Sequence, residues 1–319
     1  MKKILSKLTL IISGLFLICL TPCRSQKIQD IVSDSINMDG IQRGFTYYEP
    51  PLIRSNPDFI MVLHGATMSV DLMRAVTGNG FEKIAKENKD AIVIYPSGFD
   101  NFWNDCRKEA TYTTKLENMD DIGFFEAIVQ KLSIKYNIKE NKVFVVGFSN
   151  GGHMVYKLAK VRPDRFNGFA VVGANLPTQD NDDCNLGNTP VSMFIANGTS
   201  DPINPYFGGE VKAKDGISRG KVLSTEQTLN HWLDLNQGSK IVSEELLHVN
   251  DKVEEDNSLA VIYSYVFENR KKISLVKIVN GGHHFNNPGF SDWPNYLGNL
   301  NRDVNLPESI MDFFKNLRK

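Results

Sequence analysis

The 319-residue sequence predicts an α/β fold, in which a mostly parallel central sheet carries helices on both faces. Two observations point there. Short runs rich in Val and Ile alternate with amphipathic stretches of ten or more residues along nearly the whole chain. The composition is 41% hydrophobic and 23% charged, with no internal repeat or Ser/Thr-rich linker, which excludes a disordered, collagen-like or coiled-coil chain.

At the start, Lys2, Lys3 and Lys7 precede the apolar run Leu8–Leu20, which ends in Thr-Pro-Cys-Arg-Ser-Gln. This is the form of a signal peptide with a cleavage site after Ser25, so residues 1–25 are expected to be removed and 26–319 to form a single domain. The apolar run is too short for a comfortable bilayer span, which argues against stable membrane insertion. Removal leaves 32 basic and 37 acidic side chains, a net charge of −5, with no basic block. That balance argues against a nucleic-acid partner. Export to the periplasm or the medium leaves Cys106 and Cys184 in an oxidising compartment, where one disulfide is expected.

After a polar lead-in, apolar runs predict strands at Phe45–Tyr48, Phe59–Leu63, Ala91–Tyr95, Val143–Val146, Gly168–Val172, Val191–Ala196, Ala260–Val266 and Ile273–Val279. Helical periodicity predicts helices at Val70–Glu87, Asp121–Lys135, Gly151–Lys160, Thr225–Leu235 and Leu306–Leu317. Asp120 or Asp121 can cap the second of these, whose apolar stripe is Phe124, Phe125, Ile128, Val129 and Leu132. Pro163 stops the third, because proline cannot continue the backbone ladder. The polar, glycine-bearing stretch Pro205–Lys221 lacks apolar periodicity and reads as an excursion over the surface.

The sharpest chemical signal is K-V-F-V-V-G-F-S-N-G-G at 142–152. An apolar strand runs into Gly147-Phe148-Ser149-Asn150-Gly151 and a helical pattern begins at once, the context of a nucleophile elbow. A second G-x-S-x-G, around Ser218, follows a polar stretch instead of a strand and fails that test. A serine at its ordinary pKa needs a histidine base, and the base needs an orienting acid. Of six histidines, His153 lies on the helix already committed to the elbow, His231 inside an amphipathic helix and His248 in a polar stretch. The late strand Ile273–Val279 instead delivers Gly281-Gly282-His283-His284-Phe285 onto a glycine-rich loop, past the carboxyl end of the sheet where α/β sites form. A His pair could hold a metal, but no further ligands stand at suitable spacing. For the acid, Val191–Ala196 empties into Asn197-Gly198-Thr199-Ser200-Asp201. The candidates then run Ser149, Asp201, His283, the chain order of an α/β-hydrolase. Oxyanion donors are expected from the backbone N–H of Asn150, directly after the nucleophile, and from the loop His64-Gly65-Ala66-Thr67, with Ala66 the best placed. His64 is expected to buttress that loop through a hydrogen bond.

The chain resembles the secreted polyhydroxybutyrate depolymerase and feruloyl esterase family of α/β-hydrolases, similar to carbohydrate esterase family 1. The ordered landmarks are L-H-G at 63–65, Y-P-S-G at 95–98, W-N-D-C at 103–106, D-D-I-G-F at 120–124, G-F-S-N-G-G at 147–152, N-G-T-S-D-P at 197–202, P-Y-F-G-G at 205–209 and G-G-H at 281–283. The resemblance spans about residues 40–317 and implies an α/β-hydrolase fold. It also implies Ser149 as nucleophile, Asp201 as acid, His283 and not His284 as base, and Ala66 and Asn150 as oxyanion donors. Two departures sit where a substrate would enter. Ala66-Thr67-Met68-Ser69 replaces a glycine-rich run, and His283-His284-Phe285-Asn286-Asn287-Pro288-Gly289 replaces His-Thr-Trp-Pro-Gly.

The chemistry so read is ester hydrolysis through an acyl-enzyme, which needs no metal and no organic cofactor. Trp103, Tyr206, His284, Phe285 and Trp293 are the candidate pocket residues, from loops expected around the site. Rings there could stack on a hydroxycinnamoyl group. No separate binding module for a crystalline polyester accompanies the domain. The expected substrate is therefore a feruloyl or acetyl ester on a plant polysaccharide fragment, with a polyester oligomer such as poly(3-hydroxybutyrate) as the alternative. A catalytically inactive carbohydrate-binding relative is the reading of another class.

Overall fold

A computed structural model describes residues 31–138, 142–184, 187–212 and 215–318. The expected signal segment 1–25 lies outside the described residues. Among the described residues there are twelve strands, in chain order β1 (Ile31–Met38), β2 (Ile41–Tyr48), β3 (Asp58–Leu63), β4 (Ala91–Pro96), β5 (Val143–Phe148), β6 (Gly168–Val172), β7 (Met193–Gly198), β8 (Gly209–Lys212), β9 (Ser218–Val222), β10 (Ile241–His248), β11 (Leu259–Phe267) and β12 (Lys272–Val279). The helices are α1 (Val70–Val76), α2 (Gly80–Asn88), the single turn α3 (Thr113–Leu116), α4 (Asp121–Lys135), α5 (Asn150–Val161), α6 (Thr225–Asp234) and α7 (Leu306–Leu317).

Ten strands make one sheet in the order β1-β2-β4-β3-β5-β6-β7-β12-β11-β10. The six inner strands, β4 through β12, are parallel, and antiparallel hairpins extend both flanks. Of these, β3 to β7 are buried at every position because successive side chains feed opposite layers, and β12 is half-buried at Lys272, Lys277 and Val279. Phe59, Met61 and Leu63 join the layer that holds Phe124, Phe125 and Ile128 of α4, Met154 and Leu158 of α5 and Trp232 of α6. Ile60 and Val62 point the other way, towards Met73 of α1, Phe81 and Ala85 of α2 and Ile310 and Phe314 of α7. This is the α/β-hydrolase architecture.

The structure refines several expectations. The helix expected over Val70–Glu87 is two, broken at Thr77-Gly78-Asn79, where Gly78 and Asn79 both take positive φ. The polar lead-in contains β1, which pairs with β2 along its full length, and the polar stretch around His248 is edge strand β10. Part of the expected surface excursion is the β8–β9 hairpin, which places Ser218 at the start of a strand and not in a strand-to-helix turn. Cys106 and Cys184 form the expected disulfide, with Cα atoms 5.3 Å apart and a sequence separation of 78. In a chain-entropy account, closing such a loop stabilises the fold by about 4 kcal/mol.

Candidate active site

Ser149 stands between β5 and α5 with φ 54° and ψ −117°, a left-handed conformation that an L-residue adopts only where the surroundings impose it. Its N–H donates to the Val172 carbonyl at 2.8 Å, and its carbonyl accepts from His153 N–H at 3.0 Å. The turn is tight enough to require glycine on both sides. A Cβ on Gly147 would lie 2.1 Å from the Gly151 carbonyl oxygen, and one on Gly151 2.5 Å from that of Leu63. The strained turn holds the Ser149 side chain clear of the sheet, at the wall of a cavity of about 470 Å³ that His283 also lines.

Asp201 and His283 come from neighbouring strands. β7 and β12 are parallel and paired, and beyond their ends Thr199 N–H donates to the Ile278 carbonyl and Ser200 N–H to that of Gly281, each at 2.9 Å. The two loops thereby bring the Asp201 carboxylate within 2.6 Å of His283 Nδ1, both side chains nearly withdrawn from water. The other carboxylate oxygen, Oδ1, accepts from the N–H groups of Ile203 at 2.7 Å and Asn204 at 2.8 Å. Asp201 is thus held in one rotamer, and a carboxylate on Nδ1 directs Nε2 of the ring away from itself. His284 takes a different setting, with Nδ1 on the Asn299 carbonyl at 3.1 Å and its ring at the edge of Trp293. Burial, with the neighbouring His283 as a lesser cause, lowers its pKa to about 4.

Ala66 lines the same cavity, and Asn150 is the first residue of α5, where backbone N–H groups have no intrahelical partner. His64 supports the Ala66 loop as expected. Its Nδ1 is 2.7 Å from the Gly65 carbonyl, which makes it the donor, and its Nε2 accepts from Gly98 N–H at 2.9 Å. Burial lowers its pKa to about 4, so the ring is neutral.

Of the pocket candidates, Trp293 lines the cavity, together with Phe290 of the same loop. Four others do not. Trp103 is fully buried between His64 and Phe125, with its indole N–H on the His64 carbonyl. Phe285 is fully buried against Phe81 and Phe148. Tyr206 is buried beneath the Lys277 ammonium, and His284 is buried with its Nδ1 on the Asn299 carbonyl. Each stands on an expected loop, but its side chain turns inward, because large rings gain more from burial in the sheet layers than at a wet rim. The cavity is walled instead by Met68, Leu72 and Val76 around α1 and by Phe102, Tyr112 and Tyr296. Arg219 of β9 closes one side, its guanidinium 5.0 Å from the Tyr112 ring centre and its Nη2 2.6 Å from Asp215. The signal for α1 was its amphipathic pattern, in which Leu72 is left exposed; Arg219 carried none.

Comparison with known proteins agrees with this architecture. The profile of the Phospholipase/Carboxylesterase family matches residues 107–233. "Putative esterase NocK" of Nocardia uniformis subsp. tsuyamanensis is 22% identical over 92% of this chain and 86% of its own length. Feruloyl esterase D of Neurospora crassa is 34% identical, but over 39% of this chain and 38% of its own length. A poly(3-hydroxybutyrate) depolymerase of Ralstonia pickettii is 25% identical over 56% of this chain and 38% of its own. Among solved structures, an acetyl xylan esterase from Aspergillus awamori superposes with a TM-score of 0.56 over 89% of this chain and 99% of that one, at 14% identity, a likeness of fold. Among the described residues no helix is long and apolar enough to cross a membrane. The chain therefore has the α/β-hydrolase fold, and in sequence it is similar to esterases, among them feruloyl esterases and a poly(3-hydroxybutyrate) depolymerase.

Proposed function

We propose that residues 26–319 form one exported catalytic domain that hydrolyses carboxylic esters through an acyl-enzyme on Ser149. The observation that carries this reading is the 2.6 Å contact between Asp201 and His283 at a cavity wall shared with the strained Ser149. In the proposed reaction His283 removes the Ser149 proton as Oγ attacks the ester carbonyl. Asp201 holds the ring in the tautomer that accepts this proton and stabilises the imidazolium that forms. The backbone N–H groups of Ala66 and Asn150 receive the oxyanion. His283 then protonates the departing alcohol, and a water activated by the same ring releases the acid. No step calls for a metal or organic cofactor.

For the substrate we propose a feruloyl or acetyl ester on a plant polysaccharide fragment. The cavity walls support this choice, since Phe102, Tyr112, Phe290 and Trp293 offer faces and edges to a flat acyl group. A volume of about 470 Å³ suits a ligand of that size. The test compares Ser149→Ala with the parent on p-nitrophenyl acetate, then the parent on methyl ferulate, acetylated xylan and soluble 3-hydroxybutyrate oligomers at one pH. The expected outcome is loss of turnover in the variant and the highest kcat/KM on the ferulate, by about 10- to 200-fold if a single aromatic site discriminates. Turnover by the variant within tenfold of the parent would overturn the serine-esterase reading. Hydroxybutyrate oligomers ahead by tenfold would replace the substrate with a polyester oligomer.

A further inference from the structure

The proposed reaction uses two backbone N–H groups on different segments, and one loop is bonded to both. Residues 98–107 run between β4 and α3. On one side, the Trp103 indole N–H donates to the His64 carbonyl at 2.8 Å, and Thr67 N–H donates to the Asn101 carbonyl at 2.9 Å. These contacts bracket Ala66. On the other side the loop takes hold of Asn150 by its side chain. Trp103 N–H donates to Asn150 Oδ1 at 2.8 Å, and Asn150 Nδ2 donates to the Trp103 carbonyl at 3.2 Å and to Asp105 Oδ2 at 2.7 Å. The carboxamide has no solvent to turn into, because Asn150 and Asp105 are each 1% exposed.

Asp105 is itself fixed. Its Oδ1 accepts from the N–H and Nε of Arg107 at 2.8 and 3.0 Å, and its Oδ2 accepts from Arg107 Nη2 at 2.6 Å. Burial pushes the Asp105 carboxyl up, but the adjacent guanidinium outweighs it and holds the pKa at about 2. A fully buried, ionised pair is costly to assemble, and nothing in the hydrolytic cycle consumes its charge. It sits against the side chain of Asn150, whose backbone N–H is one of the two proposed oxyanion donors.

We infer that Asp105 is a positioning residue for the oxyanion hole, acting through the Asn150 carboxamide to set where the Asn150 N–H points relative to that of Ala66. The inference rests on the proposed serine-esterase reading. Arg107 neutralises the carboxylate, so the anchor does not oppose negative charge developing on the substrate oxygen. Donor alignment is the quantity at stake, since an oxyanion donor acts only where it meets the oxygen of the transition state.

The test uses the full mature chain and p-nitrophenyl acetate, with rates expressed per active site titrated by diethyl p-nitrophenyl phosphate, so that loss of folded protein does not count as loss of rate. Asn150→Ala keeps the backbone N–H and removes only its clamp. Asp105→Glu keeps a charge for Arg107 but displaces the oxygen on Asn150, and Asp105→Asn removes the charge. Each fold-competent variant is expected to lose about 10- to 100-fold in kcat with little change in KM, less than the loss of a whole donor. Phenylboronic acid, whose serine adduct places an anionic oxygen where the oxyanion forms, should weaken by a similar factor, while inhibition by free ferulate stays unchanged. Adding an Asp105 change to Asn150→Ala should cost no further kcat, because both act through one contact.

A parent-like kcat per titrated site in Asn150→Ala would overturn the inference. So would an Asp105 effect that persists undiminished in the Asn150→Ala background, which would make the pair structural. If Asp105→Asn does not fold, Asp105→Glu and Asn150→Ala decide the matter between them. Turnover surviving in Ser149→Ala would instead overturn the serine-esterase reading itself, whatever these variants do.

Discussion

His283 and His284 are adjacent on one loop and differ in everything their rings touch. His283 bears on the Asp201 carboxylate at 2.6 Å and lines the cavity, whereas His284 rests on a backbone carbonyl, with its pKa lowered to about 4 by burial. Under the proposed mechanism only the first can exchange a proton with Ser149. His283→Ala is expected to lower the acylation rate on p-nitrophenyl acetate by several orders of magnitude, and His284→Ala by less than about tenfold, measured by stopped flow. The reverse ranking would move the base to His284. Trp103 is instructive for the opposite reason. Its place in a loop expected around the site suggested a substrate contact, yet its indole N–H is committed to the His64 carbonyl and its ring to the core.

At the scale of elements, the break between α1 and α2 shows how the cavity wall is held. Gly78 takes φ +63°, and a Cβ there would lie 2.5 Å from Asn287 Oδ1 and 2.9 Å from the Gly289 Cα. Asn287 Nδ2 donates to the Val76 carbonyl at 2.6 Å and to that of Phe285 at 2.8 Å. The stretch after the two histidines, where this sequence departs from the family pattern, therefore packs against the end of the helix that presents Leu72 and Val76 to the cavity. Gly78→Ala is expected to lose about 1–3 kcal/mol of stability in urea unfolding, from the left-handed backbone and the crowding together. It should also alter kcat/KM, because α1 shifts with the loop. Unchanged stability and kinetics would show that the loop gives way freely.

For the whole molecule, buried ionisable groups set how stability follows pH. Burial lowers His64 and His284 to about 4, and lowers His153 well below its ordinary value. Below the unfolded value of about 6.5, the unfolded chain takes up protons that these rings refuse. Their contribution is complete above about pH 6.5 and is lost as pH falls towards 4, with His64 alone on the order of 3 kcal/mol. Asp58 acts in the opposite sense. Burial raises its pKa to about 6, so it favours the folded state below about pH 6 and offsets part of the loss. Burial also lowers His231, which sides with the three rings, and raises Asp121, which sides with Asp58, so four rings against two carboxyls leave the balance with the histidines. The melting temperature should be level above about pH 6.5 and fall between pH 6 and 4, as followed by calorimetry; a rise on acidification would contradict this assignment.

What the sequence determined by itself was the alternation of buried strands with helices, the strand–serine–helix turn at Ser149 and the order in which the candidate residues follow. These are local properties. A strand buried on both faces must be apolar throughout, as Val143–Phe148 is, and a turn that admits no Cβ on either side must carry glycine, as at Gly147 and Gly151. The edge strands β1 and β10 escaped because backbone pairing holds them: no position of β1 is fully buried, and all of β10 but Ser243 is exposed, so neither carries a continuous apolar run. Tertiary structure alone decided that β7 lies beside β12, which brings Asp201 to His283 across 82 residues of chain. It also decided which rings on the loops turn into the core and which face Ser149. Both outcomes depend on long-range packing, since a loop side chain takes its direction from neighbours distant in sequence.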